Sequence, residues 1–155
     1  MQTRKPPARG PPKPPGPSRK AERERRPRAP RVLLYARSTR GDRCSTAVQF
    51  AVMRYRAKLA GWQVVHEMAH TGGTRKASDA LVAFARQRLL DKIAVWSVDR
   101  IAGTIEEAVS LEATLRRRGV SVVSCWDDLD TATPQGRRDF WIQAGLAEMM
   151  REESS

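Results

Sequence analysis

The chain has 155 residues, ten of them proline and two cysteine, and its 29 Lys and Arg against 17 Asp and Glu give a formal net charge of +12. That length suits a single domain, two cysteines provide no disulfide framework, and no apolar run approaches the roughly 18–20 residues of a membrane span. The excess positive charge points to a polyanion as partner.

The first thirty residues differ from the rest. They hold nine of the ten prolines, and ten Lys and Arg against two Glu, a net of +8. With almost nothing apolar to bury, residues 1–30 are expected to form a disordered tail, partly polyproline II. Its charge suits DNA, RNA or an anionic membrane, nucleic acid first; the plainer role is to keep the chain soluble. It lacks the apolar stretch of a secretory signal, and its proline density does not suit an amphipathic transit helix. Residues 31–155 carry 19 basic and 15 acidic side chains, a net of +4, and are expected to be the folded domain. A reducing cytoplasm is the expected compartment.

From residue 31 the chain alternates strand and helix. RVLLYA (31–36) is the first apolar run, followed by a helical segment over 45–61 that stops at Gly61. WQVVHE (62–67) is the second strand, with a helix over 77–90 after it. KIAVWSV (92–98) is the third. The helix over 104–119 opens with Thr104 as N-cap and Glu107 three residues on, a capping box, and stops at Gly119. VSVVSCW (120–126) is the fourth strand, and the last helix runs from Pro134 to about Glu153. The β-branched, near-continuous runs read as strands covered on both faces. Four strands alternating with four helices predict an α/β fold, a mostly parallel β-sheet flanked by helices. In such sheets ligands sit beyond the C-terminal strand ends, so residues 36–43 and 97–104 can be neighbours.

YARST follows the first strand, TGGTRK the second and SVDR the third. Together they bring Arg37, Arg75, Asp99, Arg100 and the hydroxyls of Ser38 and Thr39 towards one edge. Converging arginines suit a phosphate through bidentate, charge-assisted hydrogen bonds. A hydroxyl attacking a phosphodiester needs such a cationic cage for the added charge of the transition state. The alternative is a set of unrelated surface arginines in an Arg-rich chain. No cluster of carboxylates suggests a two-metal nuclease.

HEMAH (66–70) matches the H-E-x-x-H zinc signature, which requires both histidines on one helical face. Here the motif begins inside a predicted strand, where His66 and His70 would be ~13 Å apart at ~3.3 Å per residue. No metal site is expected.

YARST, the glycines before Arg75, VDRIAG, DTATPQGR and LAEMMRE, in order and over residues 31 to about 153, resemble the catalytic domain of the serine recombinases: resolvases, invertases and related integrases. The resemblance implies a resolvase-like fold and site-specific DNA strand exchange without a cofactor. A serine attacks the DNA backbone, forming a 5′-phosphoserine linkage and releasing a 3′ hydroxyl. It implies dimers or tetramers assembled largely through the last long helix. By position, Arg37, Arg75, Asp99 and Arg100 match catalytic residues and Gln49 a glutamine near the site; Arg40 and Lys76 are flanking cations suited to DNA phosphate.

The chain also departs from that pattern. The family motif Tyr-x-Arg-x-Ser reads here Tyr35-Ala36-Arg37-Ser38-Thr39, so Thr39 takes the nucleophile position without a gap and Ser38 takes it if one residue is deleted; Ser38 is the first choice. The motif Asp-Arg-x-x-Arg reads Asp99-Arg100-Ile101-Ala102-Gly103, with glycine where an arginine is expected. An acidic residue common before the glycine turn is replaced by Ala69-His70. No helix-turn-helix or zinc ribbon follows the last helix. The expected activity is therefore DNA cleavage and rejoining, alone or with a longer recombinase. The competing expectation is a degenerate domain that binds DNA or a recombinase partner without cleaving.

Overall fold

The structure, a computed structural model, describes residues 27–154 together with 12, 14–16 and 18–20. Most of the expected N-terminal tail lies outside the described residues. The elements are β1 (Arg31–Ser38), α1 (Thr46–Ala60), β2 (Gln63–Thr71), α2 (Thr74–Ala85), β3 (Lys92–Val95), a 3-10 turn (Val98–Arg100), α3 (Ile105–Arg117), β4 (Ser121–Ser124), β5 (Leu129–Asp130) and α4 (Pro134–Glu153).

The sheet order is β2-β1-β3-β4-β5. The pairs β1–β2, β1–β3 and β3–β4 are parallel, and the short β5 runs antiparallel to β4. The α/β expectation with a mostly parallel sheet therefore describes the fold. β1 shows how the sequence produces it: side chains alternate between faces. Val32, Leu34 and Ala36 pack with Met53 and Ala57 of α1. Leu33 and Tyr35 join Leu81 of α2, Leu111 and Leu115 of α3, and Phe140 and Ala144 of α4. Burying Met53 alone contributes about 2 kcal/mol to holding α1 on its face.

Four expectations need correction. β2 is an edge strand and largely exposed, not covered on both faces. It also runs on to Thr71, because Gly72 N–H continues the pairing to the Ser38 carbonyl at 3.1 Å. β3 ends at Val95, and the chain turns into the 3-10 segment that carries Asp99 and Arg100. Finally, α2 starts three residues earlier than predicted, straight after the Gly72–Gly73 turn, and ends at Ala85.

The ends of α3 and α4 follow local sequence. Thr104 Oγ1 accepts from Glu107 N–H at 3.1 Å, while the Glu107 carboxylate reaches back to Gly103 N–H at 2.6 Å, one residue before the partner of a standard capping box. Thr133 caps α4 by accepting from Gly136 N–H at 2.9 Å, with Pro134 in the first turn. Gly136 has no substitute there, since a Cβ would lie 1.7 Å from the Asp130 carbonyl oxygen.

Candidate active site

The sheet order reverses between β1 and β3, where an open α/β sheet offers a crevice beyond its strand ends. Arg37 is the penultimate residue of β1, and Asp99–Arg100 follow β3. The two arginines are locked to each other's backbones. Arg37 Nε donates to the Arg100 carbonyl at 2.7 Å, and Arg100 Nη1 donates to the Arg37 carbonyl at 2.9 Å. Arg37 also donates through Nη1 to the Gly72 carbonyl at 2.6 Å and through Nη2 to the Asp99 carbonyl at 2.7 Å. One guanidinium thus ties the ends of β1, β2 and β3 together.

Gln49 closes the network from α1. Its amide nitrogen donates to the carbonyls of Arg37 at 2.9 Å and Cys44 at 3.0 Å, and its oxygen accepts from Arg37 N–H at 3.2 Å. Gln49 is fully buried, and Arg37 and Arg100 are 7% and 8% exposed. The sequence reading took these three residues as part of a phosphate-binding site. In the fold they are first of all the frame of the loop that follows β1.

That loop is a type II-like turn over 39–42. Asp42 N–H bonds the Thr39 carbonyl at 3.1 Å, and Gly41 has φ +80°, the left-handed value that its position in the turn requires. Asp42 then receives both terminal nitrogens of Arg100, Nη2 at 3.1 Å and Nη1 closer still, and accepts Cys44 N–H at 3.0 Å. Sequence reasoning missed Asp42. The available signal was its place after Gly41 in TRGDR, which reads as a turn, but its partner is 58 residues away.

The electrostatics follow from this pairing. The hydrogen bond from Arg100 holds the Asp42 carboxyl down at about 2. Burial pulls the Arg100 guanidinium down, but the Asp42 hydrogen bond and nearby carboxylates outweigh it and leave its pKa raised. Arg37 has carbonyl partners only; burial and then the charge of Arg100 lower its pKa. Burial pushes Tyr35 up to about 12, and its hydroxyl lies 3.2 Å from His70 Nδ1. Two buried guanidinium groups thus share the crevice with the Asp42 and Asp99 carboxylates, and only Asp42 is hydrogen-bonded to one of them.

The remaining expected residues lie around this frame. Ser38 ends β1, half-buried, and Thr39 is exposed in the turn. β1 and β2 pair in regular register from Leu33 to Ser38, so no bulge interrupts the Tyr35–Ser38 stretch. By alternation Ser38 belongs to the α1 face with Val32, Leu34 and Ala36. The Asp99 carboxylate accepts the Ser97 hydroxyl. Arg75, in the first turn of α2, is exposed and lines the groove between α2 and α3; it joins no hydrogen bond of the frame, and neither do exposed Arg40 and Lys76, among the described residues.

His66 and His70 sit on β2, not on a helix. His66 stacks on Phe84 with ring centroids 5.0 Å apart, and Glu67 is bound by Arg54 at 2.6 Å. Of the last helix, Phe140 and Ala144 are core. Its exposed apolar residues are Ile142, Leu146, Met149 and Met150, a helical stripe that sequence reading did not single out.

Comparison with known proteins decides the family. The model described as "Resolvase, N terminal domain" matches residues 32–155.

The chain belongs to the resolvase family of serine recombinases.

The recombinase domain is 38% identical over 81 residues to the serine recombinase gin of Escherichia phage Mu, 52% of this chain and 42% of that protein. It is 31% identical over 102 residues to the DNA-invertase of Escherichia phage P1, 66% of this chain and 55% of that protein. The chain thus spans about half the length of these relatives. In three dimensions it resembles the N-terminal catalytic domain of TP901-1 integrase, with a TM-score of 0.63 and 21% identity over 81% of this chain and 99% of that one. Among the described residues of the recombinase domain, no helix is long and apolar enough to cross a membrane.

Proposed function

We propose that residues 31–155 form one catalytic domain that cleaves and rejoins DNA in the cytoplasm by hydroxyl attack on a phosphodiester. The attacking oxygen forms a covalent phosphate ester at the 5′ side of the break, and the 3′ oxygen leaves as a hydroxyl. Because one phosphate ester replaces another, rejoining needs no external energy source and no cofactor.

The observation that carries this reading is the Arg37–Arg100–Gln49 frame at the β1/β3 crevice, directly beside the hydroxyls of Ser38 at the end of β1 and Thr39 in the turn that follows. Ser38 and Thr39 remain the two candidates. The β1 register runs unbroken to Ser38 and puts that side chain on the face opposite Arg37, whereas Thr39 follows in the turn beyond the strand. In this account Arg37 and Arg100 shape the crevice and supply its field, while Arg75, Arg40 and Lys76 reach the phosphate backbone. Asp99 accepts Ser97 and orients the turn that carries Arg100. The exposed stripe Ile142, Leu146, Met149 and Met150 suits assembly of the domain as a dimer or tetramer, or with a longer recombinase. The basic segment 1–30 adds non-specific, salt-sensitive phosphate contacts.

A second reading has its own observation. Every terminal nitrogen of Arg37 and Arg100 already has a protein acceptor, and Gly103 carries no side chain. A domain of this kind could bind DNA or pair with an active relative without cleaving. Covalent trapping separates the two. The protein is expressed in cells, denatured rapidly, its DNA digested, and the 37–45 peptide weighed. A nucleotide adduct lost in Thr39→Ala or in Ser38→Ala supports the enzyme and names the nucleophile. DNA retained without any adduct, in the presence of a cleavable site, supports the binding domain.

A further inference from the structure

The sheet has a second charged end. At the N-terminal ends of β1 and β3, about 23 Å from the crevice along β1 at ~3.3 Å per residue, lies a groove of about 770 Å³. Arg31, Arg86, Arg88, Arg117 and Arg118 line it, against the single carboxylate of Asp91. That carboxylate is already engaged, accepting Arg31 N–H at 2.8 Å and Arg31 Nε at 3.2 Å. The carbonyl ends of α2 and α3 favour cations here. Among the described residues only Arg31 donates to a carbonyl just beyond α2, that of Arg88, at 3.4 Å. Arg86, Arg88 and Arg118 are exposed, and among the described residues their guanidinium groups have no hydrogen-bond or ion-pair partner.

Arg88 is held there against the preference of its own backbone. Its φ of +55° is the left-handed value that the chain gives to glycine where α1 and α3 stop, at Gly61 (φ +70°) and Gly119 (φ +72°). A side chain makes that conformation costly, and this turn nevertheless carries an arginine. The groove is not an extension of the crevice. Between them the face of α2 and α3 carries Asp79, Glu106 and Glu107, which interrupt the positive track. The basic segment 1–30, with its net charge of +8, joins the fold at the groove, where Arg28 Nη2 lies 3.7 Å from Asp91.

We propose that this groove is a second DNA-binding site, which takes the phosphate backbone of a duplex other than the one in the crevice, so that one domain holds two DNA segments. Exposed guanidinium groups without protein partners offer phosphate oxygens the charge-assisted hydrogen bonds they accept. The acidic stretch between the two basic regions disfavours a single duplex running along both. The inference rests on the reading above only in taking the polyanion to be DNA; it does not require cleavage.

The test compares the full chain with two charge-matched variants. Arg86→Gln, Arg88→Gly and Arg118→Gln together strip the groove, glycine being suited to the turn at 88. Arg56→Gln, Lys58→Gln and Arg138→Gln remove the same charge from α1 and α4. Binding of a short fluorescent DNA duplex is followed between about 50 and 200 mM salt. Each lost phosphate contact reduces the slope of log K against log salt by about 0.9, so the groove variant is expected to lose about 2–3 and the control less than about 1. Arg88→Gly alone relieves the strained turn, and is expected to raise thermal stability while lowering the slope by about 1. In a bridging assay, a bead-bound duplex is expected to capture a second, fluorescent duplex with the parent and the control, and several-fold less with the groove variant. Equal slopes in the two triple variants, or bridging that persists without the groove arginines, overturns this inference and leaves the DNA reading standing. DNA bound by none of the proteins overturns both. A groove variant that keeps the DNA slope but no longer binds vesicles containing an anionic phospholipid assigns the groove to a membrane surface and also overturns it.

Discussion

Arg37 and Arg75 enter the same expected phosphate cage, yet they occupy opposite environments. Arg37 is buried and gives its three donor positions to the carbonyls of Arg100, Gly72 and Asp99. Arg75 is exposed on α2 and joins no hydrogen bond among the described residues. The difference divides the cage by task. A buried guanidinium that satisfies three carbonyls holds strand ends in register, and its charge acts on the crevice as a field. An exposed guanidinium has donors to offer a substrate, contributes little to the fold, and can be changed without collapsing it.

The sharpest way to break this division is to remove one arginine from each class. Arg37→Ala leaves the buried Arg100 carbonyl and the part-buried Gly72 and Asp99 carbonyls without their donor. It is expected to destabilise the domain by about 2–4 kcal/mol, measured by chemical denaturation. A loss under about 1 kcal/mol would mean that the frame is not what holds the strand ends. Arg75→Ala is expected to leave stability within about 0.5 kcal/mol of the parent while reducing DNA cleavage by about 10²–10³, or about 3–4 kcal/mol of transition-state stabilisation. A large stability loss there would erase the contrast.

Acid titration gives a smaller effect of known sign. Asp42 is held at about 2 against an ordinary value of 3.8. A carboxyl whose pKa is depressed on folding contributes stability that is fully present above 3.8 and is lost as pH falls through about 2. Its contribution is on the order of 2 kcal/mol. Asp42→Asn is expected to flatten the stability profile between pH 4 and about 2, relative to the parent, with the Thr39–Asp42 turn loosening at neutral pH.

What could be read from the sequence was what is local. The Thr104–Glu107 cap and the Gly61 and Gly119 stops lie within one turn of the residues they affect, and the α/β class follows from alternating runs. The exposure of β2 was not visible, because a six-residue apolar run reads alike at the edge and in the centre of a sheet. The end of β3 was hidden because Trp96-Ser97-Val98 keeps the strand alternation while the backbone turns. Within the site, residue identities were legible and destinations were not. Arg37 reads as a phosphate ligand until three carbonyls are found around it. Asp42 pairs with a residue 58 positions away, and the space beside Gly103 is occupied by Arg151 from the far end of the chain.

The central claim is that this domain forms a covalent bond to DNA beside a buried arginine frame, using exposed arginines as contacts. The most direct measurement is the trapped nucleotide adduct on the 37–45 peptide, quantified side by side in the parent, Thr39→Ala, Ser38→Ala and Arg75→Ala, each at a matched amount of folded protein. The account predicts an adduct in the parent, its disappearance in one hydroxyl variant, and its strong reduction in Arg75→Ala with folding intact. An adduct that survives both hydroxyl substitutions, or one indifferent to Arg75, would contradict it.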